Sequence, residues 1–201
     1  IEAHEKCKKL MPLLHLPVQS GSTKILKKMN RDHTIDQYLE KIDKLKGKKP
    51  NIRFSSDFII GYPGESDSDF NETILLMKKI KFINSYSFIY SPRPGTPASK
   101  LQKVDIKIAK ERLHIFQKIS DDIKKEYRNN LLNSTVKVLF ENKTKNENNY
   151  FGRDEYFNSV IVKSDKNLIG KIEDIKLNTQ NRNTLFGNVI SDIQKDKECA
   201  A

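Results

Sequence analysis

The sequence has almost no cysteine: Cys7 and Cys199 are the only two in 201 residues. They stand nearly the whole chain apart, which excludes a disulfide framework, a zinc knuckle and a self-contained iron–sulfur site. A long hydrophobic run is missing as well. Hydrophobic residues make up 36 %, the mean hydropathy is −0.66, and no stretch of about 18 apolar residues occurs, so no membrane-spanning helix is expected. The four histidines, His4, His15, His33 and His114, show no metal-ligand spacing and read as structural or exposed. No internal repeat and no signal peptide stand out. The chain opens on Ile1, inside a helical pattern, and is expected to be a piece of a longer protein.

Acidic residues are the scarcer charge, 26 against 37 Lys and Arg, for a net charge of +11. Residues 1–132 hold 26 basic and 16 acidic residues, whereas residues 133–201 hold 11 and 10. Lys-rich compositional drift and attraction to nucleic acid both produce such an excess. A length of 201 residues suits one generous domain or two small ones, and the chain can bury a real core without staples.

What is present is a regular alternation. Leu13 to Val18 reads as a buried strand, stopped by the turn chemistry of Gln19-Ser20-Gly21-Ser22. Ser22 caps a helix carrying Ile25, Leu26 and Met29, and a second helix spans about Thr34 to Lys46. Phe54 to Ile60 is a strand, followed by Gly61-Tyr62-Pro63-Gly64 and a helix over about 68–81. Ile83 to Tyr90 is a strand, and Ser91-Pro92-Arg93-Pro94-Gly95-Thr96-Pro97 a stiff loop after it, before a long helix over about 105–131. This is the grammar of parallel βα units, whose ligands sit on the loops at the carboxyl ends of the strands. After Leu132 the grammar changes. Val136 to Glu141, Ser159 to Lys163, Ile169 to Ile175 and Thr184 to Ile190 are short β-prone runs with no helix between them, the spacing of a small oligonucleotide-binding type of barrel. The expected fold is therefore α/β: part of a parallel (β/α) barrel over 1–132, a small antiparallel β-barrel over 133–194, and a tail over 195–201. Asn142 to Asn149 is expected to be a solvated hairpin loop.

The candidate site residues each admit a plain and a functional reading. Gln19 and Ser20 with Arg31 are a capped turn and a surface Arg, or a polar contact and a bidentate carboxylate clamp. Asp57 lies inside an apolar strand, where a charge is costly unless paired or used. Gly61 and Gly64 allow close backbone approach to a planar ligand. Ser91 and Arg93 stand in a loop that three prolines pre-set. Arg153, Tyr156 and Phe157, near Tyr150 and Phe151, are barrel packing or a surface for stacking RNA bases.

Taken together the motifs are specific. Leu14-His15-Leu16-Pro17-Val18-Gln19-Ser20-Gly21-Ser22 with Met29-Asn30-Arg31 resembles the fourth-strand region of the radical S-adenosylmethionine methylthiotransferases. Asp57 through Glu65 resembles that family's fifth strand and Tyr90 through Ala98 its sixth, in the same order and spacing. The β-rich segment resembles the TRAM RNA-binding domain. Phe151-Gly152-Arg153, Phe157 to Val160 and Thr184 to Gly187 resemble the tRNA-modifying branch.

The resemblance implies the C-terminal half of a radical S-adenosylmethionine barrel followed by TRAM. It also implies a reaction in which a 5′-deoxyadenosyl radical removes hydrogen from C2 of N6-dimethylallyladenosine beside the tRNA anticodon, and a methylthio group replaces it. The cofactors implied are S-adenosylmethionine and two [4Fe–4S] clusters. By position Gln19 and Asp57 go to the nucleoside end and Arg31 to the methionyl carboxylate, while Ser20, Gly61, Gly64, Ser91 and Arg93 line the same mouth. Arg153, Tyr156 and Phe157 go to RNA. The expected partners are the tRNA anticodon arm and the missing N-terminal part of the same enzyme, in the cytoplasm, with no membrane. The family's CxxxCxxC motif and its three N-terminal cysteines do not occur here, so the chain is expected to be catalytically silent alone. Two other readings stand beside this one: a stand-alone RNA-binding module, and a sister enzyme acting on threonylcarbamoyl-adenosine or a ribosomal protein.

Overall fold

The computed structural model describes residues 1–145 and 148–190. The expected tail over 195–201, Cys199 and part of the expected loop over 142–149 lie outside them. Two compact units divide the chain, 1–124 and 125–201. Among the described residues no helix is long and apolar enough to cross a membrane.

In the first unit α1 (Glu2–Lys6) precedes β1 (Leu13–His15), α2 (Thr23–Lys28), α3 (Ile35–Lys48), β2 (Arg53–Ile60), α4 (Asp67–Ile80) and β3 (Asn84–Ile89). A 3-10 turn (Pro97–Lys100) then leads into α5 (Ile106–Asn129), whose end belongs to the second unit. The strands form one parallel sheet in the order β1-β2-β3. Along β2 the side chains alternate. Phe54, Ser56, Phe58 and Ile60 are buried, and Asp57 and Ile59 are half-buried on the other face. Phe58 is fully buried and packs on Phe82 and Phe116, with ring centroids 5.5 and 4.8 Å away. Val18, Ile42, Met77 and Ile123 extend this core under the sheet.

β1 is shorter than the expected strand over Leu13 to Val18. Pro17 has no N–H to donate, and pairing resumes only at Gln19, which bridges Phe58 in parallel. The turn after it is fixed by one carboxylate. Asp69 on α4 accepts the Ser22 hydroxyl at 2.7 Å and Lys24 Nζ at 2.8 Å, and it also accepts the Ser66 backbone N–H that opens its own helix. Gly21 lies so close to α4 that a Cβ there would run into the backbone of Glu72 and Thr73. Burial opposes ionisation of Asp69, but the bonds from Lys24, Ser66 and Ser22 outweigh it and hold the carboxyl well below the usual carboxylate range. A depressed folded-state pKa contributes stability above the unfolded value of 3.8 that disappears as pH falls through it toward the folded value. Asp69→Asn is therefore expected to melt earlier than the parent at pH 7 and to lose less on acidification from about pH 5 to pH 3. A parallel acid profile in parent and variant, followed by thermal melting, contradicts this.

The second unit contains β4 (Thr135–Lys143), β5 (Asn149–Asp154), β6 (Ser159–Lys163), β7 (Ile172–Gln180) and β8 (Thr184–Val189). They close into a barrel in the order β4-β5-β6-β8-β7, antiparallel except for the parallel pair β6 and β8. Alternate residues point inward, so Val138, Phe140, Val160, Val162, Ile175, Leu177 and Leu185 make its core. Close strand approach requires Gly152 and Gly187. A Cβ there would lie 2.7 Å from the Val138 and Ile175 side chains respectively. The sequence reading differs from this barrel at several points. β4 runs to Lys143, into the expected loop, and β7 to Gln180, past the expected end at Ile175, while β5 is a strand absent from the expected β-prone runs and carries Tyr150 into the core. β7 begins at Ile172 rather than Ile169, because Gly170 turns the chain with a φ of 76°.

Candidate functional site

All three βα loops of the first unit open at the carboxyl end of the sheet, and a cavity of about 660 Å³ lies between them. Gln19 from the first loop, Arg31 after α2, Asp57 and Ile59 on β2, and Ser91 and Arg93 after β3 all line it. These residues lie far apart in the chain and share no local pattern. Parallel pairing brings them to one edge.

Gln19 is held in the left-handed region, with φ 74°, which a non-glycine residue adopts at a cost of about 1 kcal/mol. Two backbone bonds fix it there. Its N–H donates to the Asp57 carbonyl and its own carbonyl accepts the Ile59 N–H, each at 2.9 Å. Strain maintained this way, beside a cavity, presents a side chain that relaxed geometry would turn away. Asp57 answers the question its burial raised: its carboxylate lies 3.5 Å from His15 Nε2, and His15 Nδ1 is 2.9 Å from the Ser55 hydroxyl. His15 is thus more than a bystander, although no sequence spacing marks it.

Three expected site residues stand elsewhere. Ser20 is buried, and its hydroxyl accepts the Ser22 N–H at 3.1 Å within the turn, so it does not line the cavity. Gly61 and Gly64 are also absent from the lining and serve the loop itself, with φ of 72° and 79°. The Gly61 N–H donates to Glu65 Oε2 at 2.9 Å, and Lys28 Nζ rests where a Gly64 side chain would stand. Glu65 is buried and paired with Arg112 of α5 at 2.8 Å. Burial pushes its carboxyl up, against the opposing pull of the Gly61 N–H and Arg112. Through this pair α5 braces the loop that sets Tyr62 into the cavity wall.

Lys28, Tyr62, Phe88 and Tyr90 also line the cavity, although none was among the expected site residues. Lys28 stands three positions before Arg31, a spacing that could have marked it. Tyr62 donates its hydroxyl to the Lys28 carbonyl at 2.8 Å, and its ring meets Tyr90 edge-on at 5.0 Å. Burial raises the Tyr62 phenol pKa, and the neighbouring Tyr90 adds to it. The lining sets Lys28, Arg31 and Arg93 together with Gln19 and Asp57, a donor set suited to a zwitterionic ligand with a carboxylate and a polar planar part. Iron–sulfur ligation does not fit. Among the described residues no group of three His, Cys, Asp or Glu could hold a metal, and Cys7 is free and exposed.

On the barrel, Arg153 lies over the rings of Phe151 and Phe157, 5.5 and 5.8 Å from their centroids, and 3.4 Å from Glu141. Phe157 is exposed, with a left-handed φ of 60°. Tyr156 is half-buried, edge-on to Tyr127 at 6.2 Å. The aromatic cluster therefore divides between the core, which takes Tyr150, and a cation–aromatic stack on the surface.

The Radical SAM superfamily profile matches residues 1–77 and the TRAM domain profile residues 130–190. The chain is 50 % identical over 197 residues to the tRNA-2-methylthio-N(6)-dimethylallyladenosine synthase of Pelagibacter ubique (strain HTCC1062), covering 97 % of this chain and 44 % of that protein. It is 46 % identical over 192 residues to the protein of that name from Ruthia magnifica subsp. Calyptogena magnifica, covering 95 % and 43 %. With the Wolbachia pipientis wMel protein of that name the identity is 44 % over 188 residues, covering 92 % and 43 %. The chain thus spans less than half the length of the curated relatives it matches. With both profiles in this order and such identity across nearly all its residues, the chain belongs to the radical S-adenosylmethionine methylthiotransferase family.

Proposed function

We propose that this chain is the cofactor-cradling and RNA-binding part of an enzyme that adds a methylthio group to C2 of N6-dimethylallyladenosine beside the tRNA anticodon. The observation that carries the reading is the meeting of Gln19, Arg31 and Asp57, from three separate motifs, on one cavity at the carboxyl edge of the sheet. S-adenosylmethionine supplies the methyl group and, on reductive cleavage at an iron–sulfur cluster, the group that takes hydrogen from C2. The cluster ligands come from outside these 201 residues, so no step is assigned to a cluster here.

In this reading Arg31 holds the methionyl carboxylate, and Gln19 and Asp57 orient the nucleoside end through hydrogen bonds. His15 and Ser55 keep the Asp57 carboxylate in place. Ser91, Arg93 and the wall around Tyr62 shield the mouth from water. On the barrel Arg153, Phe157 and the adjoining Tyr156 contact the anticodon arm by stacking and charge. In this reading the protein works on tRNA in the cytoplasm. The names of the relatives favour the dimethylallyladenosine reaction over the sister substrates.

A chimera tests the proposal. The matching segment of the Pelagibacter ubique relative is replaced by this chain and expressed in a bacterium lacking the activity, and digested tRNA is analysed by mass spectrometry. The 2-methylthio nucleoside is expected with the parent chimera, and Arg31→Ala is expected to lower it at least ten-fold, the loss of a charge-assisted bond worth about 1.5–3 kcal/mol. Full activity with Arg31→Ala overturns the cofactor assignment. A soluble chimera that modifies no tRNA overturns the reaction.

A further inference from the structure

We propose that the amino edge of the sheet, at the far end from the cavity, is a second RNA surface, where lysines from three segments hold sugar–phosphate backbone without reading its bases. This goes beyond the reading above, because it needs neither the cofactor nor the anticodon. It begins from where the charge lies. Residues 1–124 hold 24 Lys and Arg against 15 Asp and Glu. Residues 6–9, 46–53 and 78–81 supply ten of those cations and none of the acids, so the rest of the unit is balanced, 14 against 15. Compositional drift toward lysine enriches every exposed face alike, and outside these segments there is no excess.

Topology brings the three segments together. In parallel βα units the helices run back along the sheet, so α3 and α4 end where β2 and β3 begin. Lys46 and Lys48 stand in the last turn of α3, and Lys78 and Lys79 in that of α4. Arg53 opens β2, level with Leu13 on β1. The segment over 6–9 is tied to the same edge. Lys48 Nζ meets Glu5 at 2.8 Å, Lys49 Nζ donates to the Leu10 carbonyl at 2.7 Å, and the Arg53 N–H donates to the Pro12 carbonyl at 2.7 Å. The Ile83 N–H donates to the Phe54 carbonyl at 3.0 Å, which sets the end of α4 beside the start of β2. Lys8, Lys9, Lys78 and Lys79 are all exposed. The eight residues of β2 separate this edge from the cavity by about 25 Å.

Local needs account for little of this charge. The two helix C-termini carry about −0.5 each, roughly one charge between them. Glu2 and Glu5 of α1 take Lys6 and Lys48. Subtracting these from the ten leaves about seven positive charges on one face. The complement of such a face is a polyanion. The three segments contain no Phe, Tyr or Trp on which a base could stack, and all their cations but Arg53 are lysines. An ammonium is a point charge that meets a phosphate in any register, so the contact positions a backbone and carries no sequence information. A lipid surface fits less well. α3 and α4 bury their apolar faces in the core, so neither offers the apolar side with which a helix lies in a headgroup layer.

The test uses the full 201-residue chain and a fluorescein-labelled RNA duplex of mixed sequence, with anisotropy read between about 50 and 200 mM salt. Lys8→Gln/Lys9→Gln/Lys78→Gln/Lys79→Gln is expected to flatten the log–log salt slope by about 3, close to the value for four duplex phosphates, and to weaken binding about ten-fold or more at the lower salt. A matched control, Lys100→Gln/Lys103→Gln/Lys107→Gln/Lys110→Gln, removes the same charge from exposed positions around Ala109, which lies against Gly61 at the carboxyl end of the sheet. It is expected to change the slope by less than about 1. Acetylation of the parent chain, read by mass spectrometry, gives a result that no folding defect can mimic. RNA is expected to protect Lys8, Lys9, Lys78 and Lys79 and to leave Lys103 and Lys107 reactive. The surface is overturned if both variants flatten the slope equally, which is attraction to net charge alone, or if protection is confined to the barrel. It is also overturned if vesicles containing anionic phosphatidylglycerol bind the parent and not the first variant while RNA binding is unchanged. The face then belongs to lipid.

Discussion

Arg112→Ala is expected to destabilise the first unit by about 3–5 kcal/mol, the penalty for breaking a buried ion pair from one side. Arg112 is 7 % exposed and Glu65 6 %, and their 2.8 Å contact is joined by a 3.2 Å bond from the guanidinium to the Glu65 carbonyl. The contact with Asp67 contributes little, because that carboxylate is 92 % exposed. Without the guanidinium, Glu65 is a buried carboxylate with only the Gly61 N–H to receive it. Its carboxyl, already raised by burial, moves further up. A raised folded-state pKa means that the contribution to stability is greatest below the unfolded value of 4.5 and disappears as pH rises through the folded one. The variant is therefore expected to fall furthest behind the parent at neutral and alkaline pH, and to recover part of the gap near pH 5.

The loss has a functional side. Glu65 ties the loop that holds Tyr62 against the cavity, so ligand binding weakens with the fold. Adding Glu65→Gln to Arg112→Ala removes the orphaned charge and is expected to recover a substantial part of the loss. Urea unfolding, with hydrogen exchange resolved to β1–β3, separates this unit from the barrel. A loss under 1 kcal/mol, or one independent of pH, contradicts the account.

Asp154→Ala is expected to destabilise the barrel by on the order of 3 kcal/mol. One carboxylate organises the whole turn after β5. Oδ1 accepts the N–H groups of Tyr156 at 2.9 Å and Asn158 at 2.8 Å, and Oδ2 accepts the Asn158 side-chain amide at 2.8 Å. Asp154 and Asn158 are both buried, so truncation leaves buried donors without a partner. Burial raises the Asp154 carboxyl, against the bonds from Asn158 and Tyr156 and the charge of Arg128. Arg128, itself buried, donates to the Arg182 and Asn183 carbonyls at 2.8 and 3.1 Å and would lose its compensating charge.

The same turn holds Phe157 in its left-handed conformation under Arg153. Asp154→Ala should therefore reduce RNA binding together with stability, whereas Phe157→Ala should reduce binding alone. Asp154→Asn keeps one acceptor but sets an amide donor against Asn158, and an intermediate loss is expected. Hydrogen exchange at β5 and β6 and RNA anisotropy report the two effects. Undiminished RNA binding by a destabilised Asp154→Ala separates the turn from the binding surface.

Much of the fold is legible in the sequence alone. Apolar alternation and helix spacing located β2, β3 and the helices α2 to α5 to within a few residues, because each segment must bury one face whatever it packs against. Gly, Pro and Ser placed the loops at the carboxyl edge of the sheet, and motif order carried the family. The composition also showed that two cysteines, nearly the whole chain apart, do not form an iron–sulfur site by themselves. Periodicity reports which face turns inward, and it is silent on which distant residues meet there.

Only the tertiary structure decided that Gln19, Arg31, Asp57, Ser91 and Arg93 share one cavity while Ser20, Gly61 and Gly64 serve the turns behind it. Only it paired Asp57 with His15 and Glu65 with Arg112, across 42 and 47 positions of sequence. A parallel sheet is the reason. Its strands are joined by crossovers through helices, so residues adjacent at its carboxyl edge are necessarily remote in the chain. Their charges balance, or fail to balance, only once the sheet has formed.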